Sequence, residues 1–205
     1  MSNSPAWRFI SQIQEPADYH DVAYWFLFQN DKLAVKPAAQ GVSIPLAVDP
    51  GELGATPLRR QFLGYVEQEG RRIACFSAEL EAEVALGEGW TVDNLRTLYP
   101  ALGDAWFQLA GRAVQIMEWD RTHLYCGRCG APMASVPNER AKRCTVCGLS
   151  NYPRLSPAII IAVTREWEGK REILLARNHR FPAGRYSVLA GFVEPGESLE
   201  ECAAG

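Results

Sequence analysis

Two groups of residues have types and spacings suited to chemistry. Cys126-Gly-Arg-Cys129 and Cys144-Thr-Val-Cys147 are two Cys-x-x-Cys pairs separated by fourteen residues. Paired turns of this kind let four thiolates converge on one tetrahedral ion. Gly130 and Gly148 follow the second cysteine of each pair and allow a tight turn behind each knuckle. Arg128, Lys142 and Arg143 lie nearby in sequence and are expected to offset the charge of a four-thiolate site. Four protein ligands leave no open position for water, so the zinc this spacing predicts is structural. Four unrelated thiols, or a redox Cys-x-x-Cys, are the competing readings. Two matched pairs without a thioredoxin-like strand–helix context count against the redox one. The second group is the acidic corner Gly191-Phe-Val-Glu-Pro-Gly-Glu197-Ser-Leu-Glu-Glu201. A strand-like run, 186–190, leads into the turn Glu194-Pro-Gly-Glu197. Ser198 then reads as the N-cap of a helix with Glu200 and Glu201 in its first turn. Hard oxygen ligands on a strand–loop–helix corner suit Mg²⁺ or Mn²⁺, which in turn hold phosphates.

The chain's general properties narrow the class. Its 205 residues suffice for one large domain or two small ones, and 47% hydrophobic content can build a core. A net charge of −3 gives no strong pull toward nucleic acid or anionic membrane. Zinc ribbons often bind nucleic acid, but the weak charge and sparse aromatic–basic interleaving argue against that reading. No run of 18 apolar residues exists, and Met1–Arg8 lacks a basic-then-apolar signal pattern. Cys75 and Cys202 stand outside the pairs. Metal binding in a reducing, cytoplasmic setting without membrane partners is therefore expected.

Positioning these groups requires particular elements. Residues 1–20, with Pro5 and Pro16, read as irregular. Residues 22–28 are β-prone and aromatic, Asn30-Asp31 turns, and 32–35 return. Further short strands are expected at 41–45 and 62–66, and 68–71 turns into a strand at 72–76. Val92, Leu95 and Leu98 predict a short helix across 90–99. Phe107, Ala110, Val114 and Met117 predict a longer one over 104–123, capped by Asp104 and contributing to the core. The apolar run 157–163 reads as a strand buried on both faces, forming a hairpin with 172–176 across a turn at 166–170. A basic loop, 177–185, and a strand, 187–190, lead to the acidic corner.

The corner resembles the first half of the Nudix box: Gly191, five residues, Glu197. In that family the box continues Arg-Glu-apolar-x-Glu-Glu-x-Gly from the position that Gly205 holds here. The metal-binding Glu-x-x-Glu-Glu group therefore falls outside these residues, and residues 1–205 alone are expected to show little or no pyrophosphatase activity. The order of ribbon, Tyr152-Pro153-Arg154, apolar strand and Leu189-Ala-Gly-Phe-Val-Glu194 resembles, over about 105–204, the NADH pyrophosphatase branch of the Nudix hydrolases. Phe107-Gln-Leu-Ala-Gly-Arg112 fits as well, while the likeness over 1–100 is weaker. The fold implied is α+β: a sheet-rich domain at 1–100, a linking helix at 101–123, the zinc ribbon at 124–152, and the first part of a Nudix α/β/α sandwich at 153–205.

The resemblance implies hydrolysis of the NADH pyrophosphate to reduced nicotinamide mononucleotide and AMP, and removal of NAD caps from RNA 5′ ends. It implies a homodimer whose sites draw on both subunits. Cys126, Cys129, Cys144 and Cys147 would hold zinc. Tyr152 and Phe192 match aromatics that hold the nicotinamide end, consistent with the stacking a flat ring gains there; core packing is their competing reading. Glu139 matches a substrate-contacting Glu, against a solvated loop carboxylate. Ala190 matches a position whose carbonyl binds a catalytic cation, Mg²⁺ or Mn²⁺, and Glu197 is the first Glu of the box. Arg96 is a loose match to a phosphate contact, against a surface Arg. A non-catalytic zinc-ribbon module that binds nucleotide or RNA is the alternative function.

Overall fold

The computed structural model describes residues 7–16 and 19–205. Its chain divides into two compact units, Met1–Pro153 and Arg154–Gly205.

The first unit is built on one mixed sheet. Its strands are β1 (Trp7–Ser11), β2 (Ala23–Gln29), β3 (Lys32–Pro37), β4 (Val42–Ser43), β5 (Leu46–Ala47), β6 (Arg59–Gln68), β7 (Arg71–Leu80) and β8 (Thr91–Asn94). They run in the order β1-β6-β7-β2-β3-β4, with β5 paired to β2 and β8 to β3. Every pairing is antiparallel except β2 with β7. The unbroken apolar run of β2 reflects burial on both faces of the sheet. Phe26 and Phe28 join the core on one face, and Trp25 and Leu27 that on the other. Irregular structure expected through residue 20 gives way to β1, because Phe9 and Ile10 find partners on β6. Residues 1–6, with Pro5, and 17–18 of that stretch lie outside the described residues.

Two helices close the first face: α1 (Leu95–Leu102) and α2 (Asp104–Thr122). Leu109, Ala110, Ala113, Ile116 and Met117 of α2 pack on Phe26, Phe28, Leu63 and Val66. The helix expected across 90–99 is split: Val92 belongs to β8, which pairs with β3, and only from Leu95 is the chain helical. Apolar residues three apart straddle a strand–helix junction here, which mimics one helical face. Asp104 is not the cap of α2. Gly103 occupies that position, and Asp104 instead accepts a hydrogen bond from the Tyr99 hydroxyl at 2.6 Å.

The ribbon adds a small antiparallel sheet, β9 (Met133–Ser135), β10 (Lys142–Cys144) and β11 (Ser150–Asn151), in the order β11-β10-β9. The Lys142 ammonium lies 2.7 Å from Asp120 Oδ1 and donates to the Asp120 carbonyl at 2.5 Å, both side chains being buried. Trp119 Nε1 donates to Asn151 Oδ1 at 3.0 Å. The end of α2 is thereby clamped to the ribbon.

The second unit holds β12 (Ala158–Ile161), β13 (Thr164–Trp167), β14 (Lys170–Ile173), β15 (Leu189–Phe192) and α3 (Leu199–Ala204). Of the apolar run only Val163 joins the expected hairpin, its carbonyl accepting from the Leu174 N–H at 2.9 Å. β13 pairs with β14 around a Glu168-Gly169 turn, both residues having positive φ, while β12 pairs with β15. Nor is β12 buried on both faces, since Ile160 is 70% exposed. Ser198 caps α3 as expected, in a reciprocal box with Glu201. The bonds of that box hold the Glu201 carboxyl below its usual range.

Candidate metal centre and substrate-facing residues

The four ribbon cysteines converge. Their Sγ atoms all lie within 4.8 Å of one another, with Cys126–Cys147 and Cys129–Cys144 at 3.5 Å. A tetrahedron with Zn–S of about 2.3 Å places sulfurs about 3.8 Å apart, so the spacing fits one zinc ion. Each knuckle is a tight turn. Gly130 N–H donates to the Cys126 carbonyl at 2.9 Å and Gly148 N–H to the Cys144 carbonyl at 3.2 Å. Both glycines adopt left-handed φ, at 74° and 71°. Backbone N–H groups aim at the sulfurs, from Arg128 to Cys126 and from Val146 and Cys147 to Cys144, each at 3.4 Å. Donation from Cys147 and Val146 brings the Cys144 thiol down to about 6. Arg128 and Cys129 likewise lower Cys126. At Cys129 an Ala131 N–H favours the thiolate, yet the neighbouring Cys144 and Cys147 sulfurs leave it raised to about 11. Thiolates are the form zinc requires. Lys142 does not serve these sulfurs as expected, because its ammonium is committed to Asp120.

Glu139 and Tyr152 are brought together: the Tyr152 hydroxyl donates to Glu139 Oε2 at 3.1 Å. That bond and the carboxylate charge raise the Tyr152 phenol, keeping it a donor. Tyr152 is 55% exposed. The loop carrying Glu139 is tied down on both sides. Asn138, at φ 67°, accepts from Gln14 Nε2, and Arg140 Nη2 donates to the Gln12 and Phe62 carbonyls at 3.1 and 3.0 Å. Nothing in the sequence pattern singles out Arg140 or the Lys142–Asp120 pair, because their partners are tertiary. Arg96 is exposed in the first turn of α1, away from the ribbon residues in sequence, and has no ion-pair partner among the described residues.

Phe192, Ala190 and Glu197 belong to the second unit. Phe192 is 72% exposed and lines an open cleft of ≈520 Å³ together with Leu155, Pro157, Glu194 and Glu197. Glu197 Oε2 accepts from the Glu194 N–H at 2.9 Å, closing the turn at Gly196, whose φ is 94°. Ala190 lies opposite Ile160 in the β12–β15 register. Among the described residues only the four ribbon cysteines form a cluster that could hold a metal ion.

Residues 22–119 match the family model described as an NADH pyrophosphatase-like rudimentary NUDIX domain. Residues 121–152 match the NADH pyrophosphatase zinc ribbon domain, and 154–204 the NUDIX domain. The chain is similar to proteins named NAD-capped RNA hydrolase NudC. That of Pseudomonas fluorescens Pf-5 is 40% identical over 178 residues, which cover 86% of this chain and 57% of that protein. That of Stutzerimonas stutzeri A1501 is 44% identical over 147 residues, covering 72% and 50%. That of Deinococcus radiodurans R1 is 33% identical over 200 residues, covering 91% and 65%. The chain thus spans between half and two thirds of the length of these relatives. With three matching domains in succession and a four-thiolate ribbon, the chain belongs to the NADH pyrophosphatase branch of the Nudix hydrolases.

Proposed function

We propose that this chain serves hydrolysis of the NAD(H) pyrophosphate, giving reduced nicotinamide mononucleotide and AMP from NADH, and removes NAD from RNA 5′ ends. The observation that carries the reading is the exposed Tyr152–Glu139 pair, pinned in place by Gln14 and Arg140. A donor phenol beside a carboxylate suits the amide and ribose hydroxyls of a nicotinamide nucleoside. Phe192 offers its open face for stacking of a flat ring. Glu197 holds the Gly196 turn, and so shapes the corner where the pyrophosphate would lie. Ala190, through its carbonyl, and the corner's carboxylates would hold Mg²⁺ or Mn²⁺, which supplies charge neutralisation at phosphate oxygens. Arg96 is a further candidate phosphate contact. The reading treats 1–100, 101–123, 124–152 and 153–205 as successive sheet, linking-helix, ribbon and Nudix pieces. It also includes a homodimer in a reducing cytoplasm.

Titration of the purified chain with NADH, followed by its fluorescence, is the test. Micromolar binding that weakens about tenfold in Glu139→Gln and in Phe192→Ala is expected, a loss of about 1.4 kcal/mol each. Absence of NADH binding would sink the reading. Chromatography of AMP in the presence of Mg²⁺ or Mn²⁺ then separates hydrolysis from the alternative. Residues 1–205 alone are expected to bind NADH with little or no AMP release, so the AMP assay is repeated on a chain that carries the Glu-x-x-Glu-Glu group: release there supports the hydrolase, and binding without release there assigns a non-catalytic zinc-ribbon nucleotide- or RNA-binding module.

A further inference from the structure

A second cleft, of ≈390 Å³, opens between β1 and the first half of α2, lined by Trp7, Phe9, Gln108, Leu109 and Arg112 among others. It lies within the first unit, which contains none of Ala190, Phe192 or Glu197. Trp7 and Phe9, two apart on β1, point to the same side of the strand. Trp7 packs at 4.6 Å on Trp106, which is backed by Tyr24 at 4.7 Å, so the aromatic wall is rigidly supported.

Arg112 stands at the end of that wall. Its guanidinium lies 5.4 Å from the Phe9 ring centre, and Nη2 donates to Ser11 Oγ at 2.6 Å. The remaining N–H donors of the fork stay available. Arg140 is close enough that Arg112's charge, after burial, helps hold its guanidinium below the ordinary arginine range. Among the described residues no carboxylate comes within 4.0 Å of either guanidinium, whereas Arg8 is already paired with Glu67 at 2.6 Å. Arg112, a cation of this cleft with no carboxylate partner among the described residues, favours an anion. An adjacent aromatic wall with an exposed amide, Gln108, favours a flat heterocycle with polar edges. A bare anion would leave that wall unused.

We propose that this cleft binds a nucleoside monophosphate unit, its phosphate on Arg112 and its base along Trp7 and Phe9, with Gln108 at the base edge. A free nucleotide and one unit of an RNA chain present the same chemistry. The site does not require the hydrolysis reading.

The test is fluorescence anisotropy of the 205-residue chain with a 5′-phosphorylated hexaribonucleotide labelled at its 3′ end, with AMP and inorganic phosphate as competitors. Two variants are compared: Arg112→Gln, which removes the cation, and Gln108→Glu, which puts a negative charge into the cleft from an exposed position. Saturable binding that weakens at least tenfold in both variants, with unchanged melting temperature and unchanged NADH titration, is expected. The salt dependence should flatten by about one unit of slope in Arg112→Gln. Displacement by AMP at equal concentration identifies the free nucleotide as the source, and its failure identifies RNA. Equal binding by wild type and both variants, displacement by inorganic phosphate as effective as by the oligonucleotide, or no binding at all would overturn the proposal. Because NADH binding is read on the same samples, failure here leaves the Glu139–Tyr152 reading standing.

Discussion

Lys142 and Asp120 face each other with almost no access to water, 2.7 Å apart. Two buried opposite charges add little net stability, but removing one strands the other. Lys142→Ala is therefore expected to cost about 3–5 kcal/mol in denaturant unfolding. The double change Asp120→Leu with Lys142→Met should recover most of that. A single-variant loss below about 1 kcal/mol would contradict the burial. Cys75 poses a different problem. Burial pushes its thiol up to about 12, while the unfolded chain ionises near the ordinary value of 9. Its contribution to stability is thus fully present below pH 9 and is lost as pH rises from there toward 12. The wild-type melting temperature should fall more steeply between pH 9 and 11 than that of Cys75→Ala. Parallel slopes would show that the thiol ionises in place.

At the scale of elements, the β1–β6 pairing depends on one glycine. Gly64 sits at a bulge in β6 with φ 127°, and a Cβ there would stand 2.1 Å from the Ile10 carbonyl oxygen of β1. Gly64→Ala should cost on the order of 2–4 kcal/mol and loosen β1, combining forbidden backbone with a backbone clash. Reduced hydrogen-exchange protection confined to residues 7–12 and 62–68 would display it. Elements set by local pattern were legible in the sequence: the aromatic strand at 22–28, the hairpin turn at 68–71, the helix at 104–122 and the Ser198 cap. Those set by partners were not. Val92 was captured by β3, and β12 chose β15 over its sequence neighbour. The same division runs through the candidate sites. Cys-x-x-Cys spacing announces a four-sulfur centre, because ligand spacing is local. Arg140 and Arg112 gain meaning only from Gln12, Phe62 and Ser11, which lie far away in sequence.

For the whole molecule, the two units differ in how their backbone is protected. The first has a sheet of eight strands with cores on both faces. The second has two separate two-stranded sheets, a form that is marginal by itself. Amides of residues 154–205 should exchange much faster than those of β2, β6 and β7. Chelation of zinc should abolish protection across 124–152 while the large sheet persists, since metal binding and ribbon folding are one event. Uniform protection after complete zinc removal would count against that coupling. Among the described residues no helix is long and apolar enough to cross a membrane. The parallel pairing of β2 with β7 carries a consequence for synthesis. β2 ends at Gln29, its central partner spans Arg71–Leu80, and the helix covering Phe26 and Phe28 ends at Thr122. At ribosomal speeds of about 5–20 residues per second, that strand waits about 5–20 s for its cover. Throughout the wait an aromatic, β-prone segment without charge is open to other chains. Holding the nascent strand apart during those seconds is the task this topology hands to the cell's chaperones.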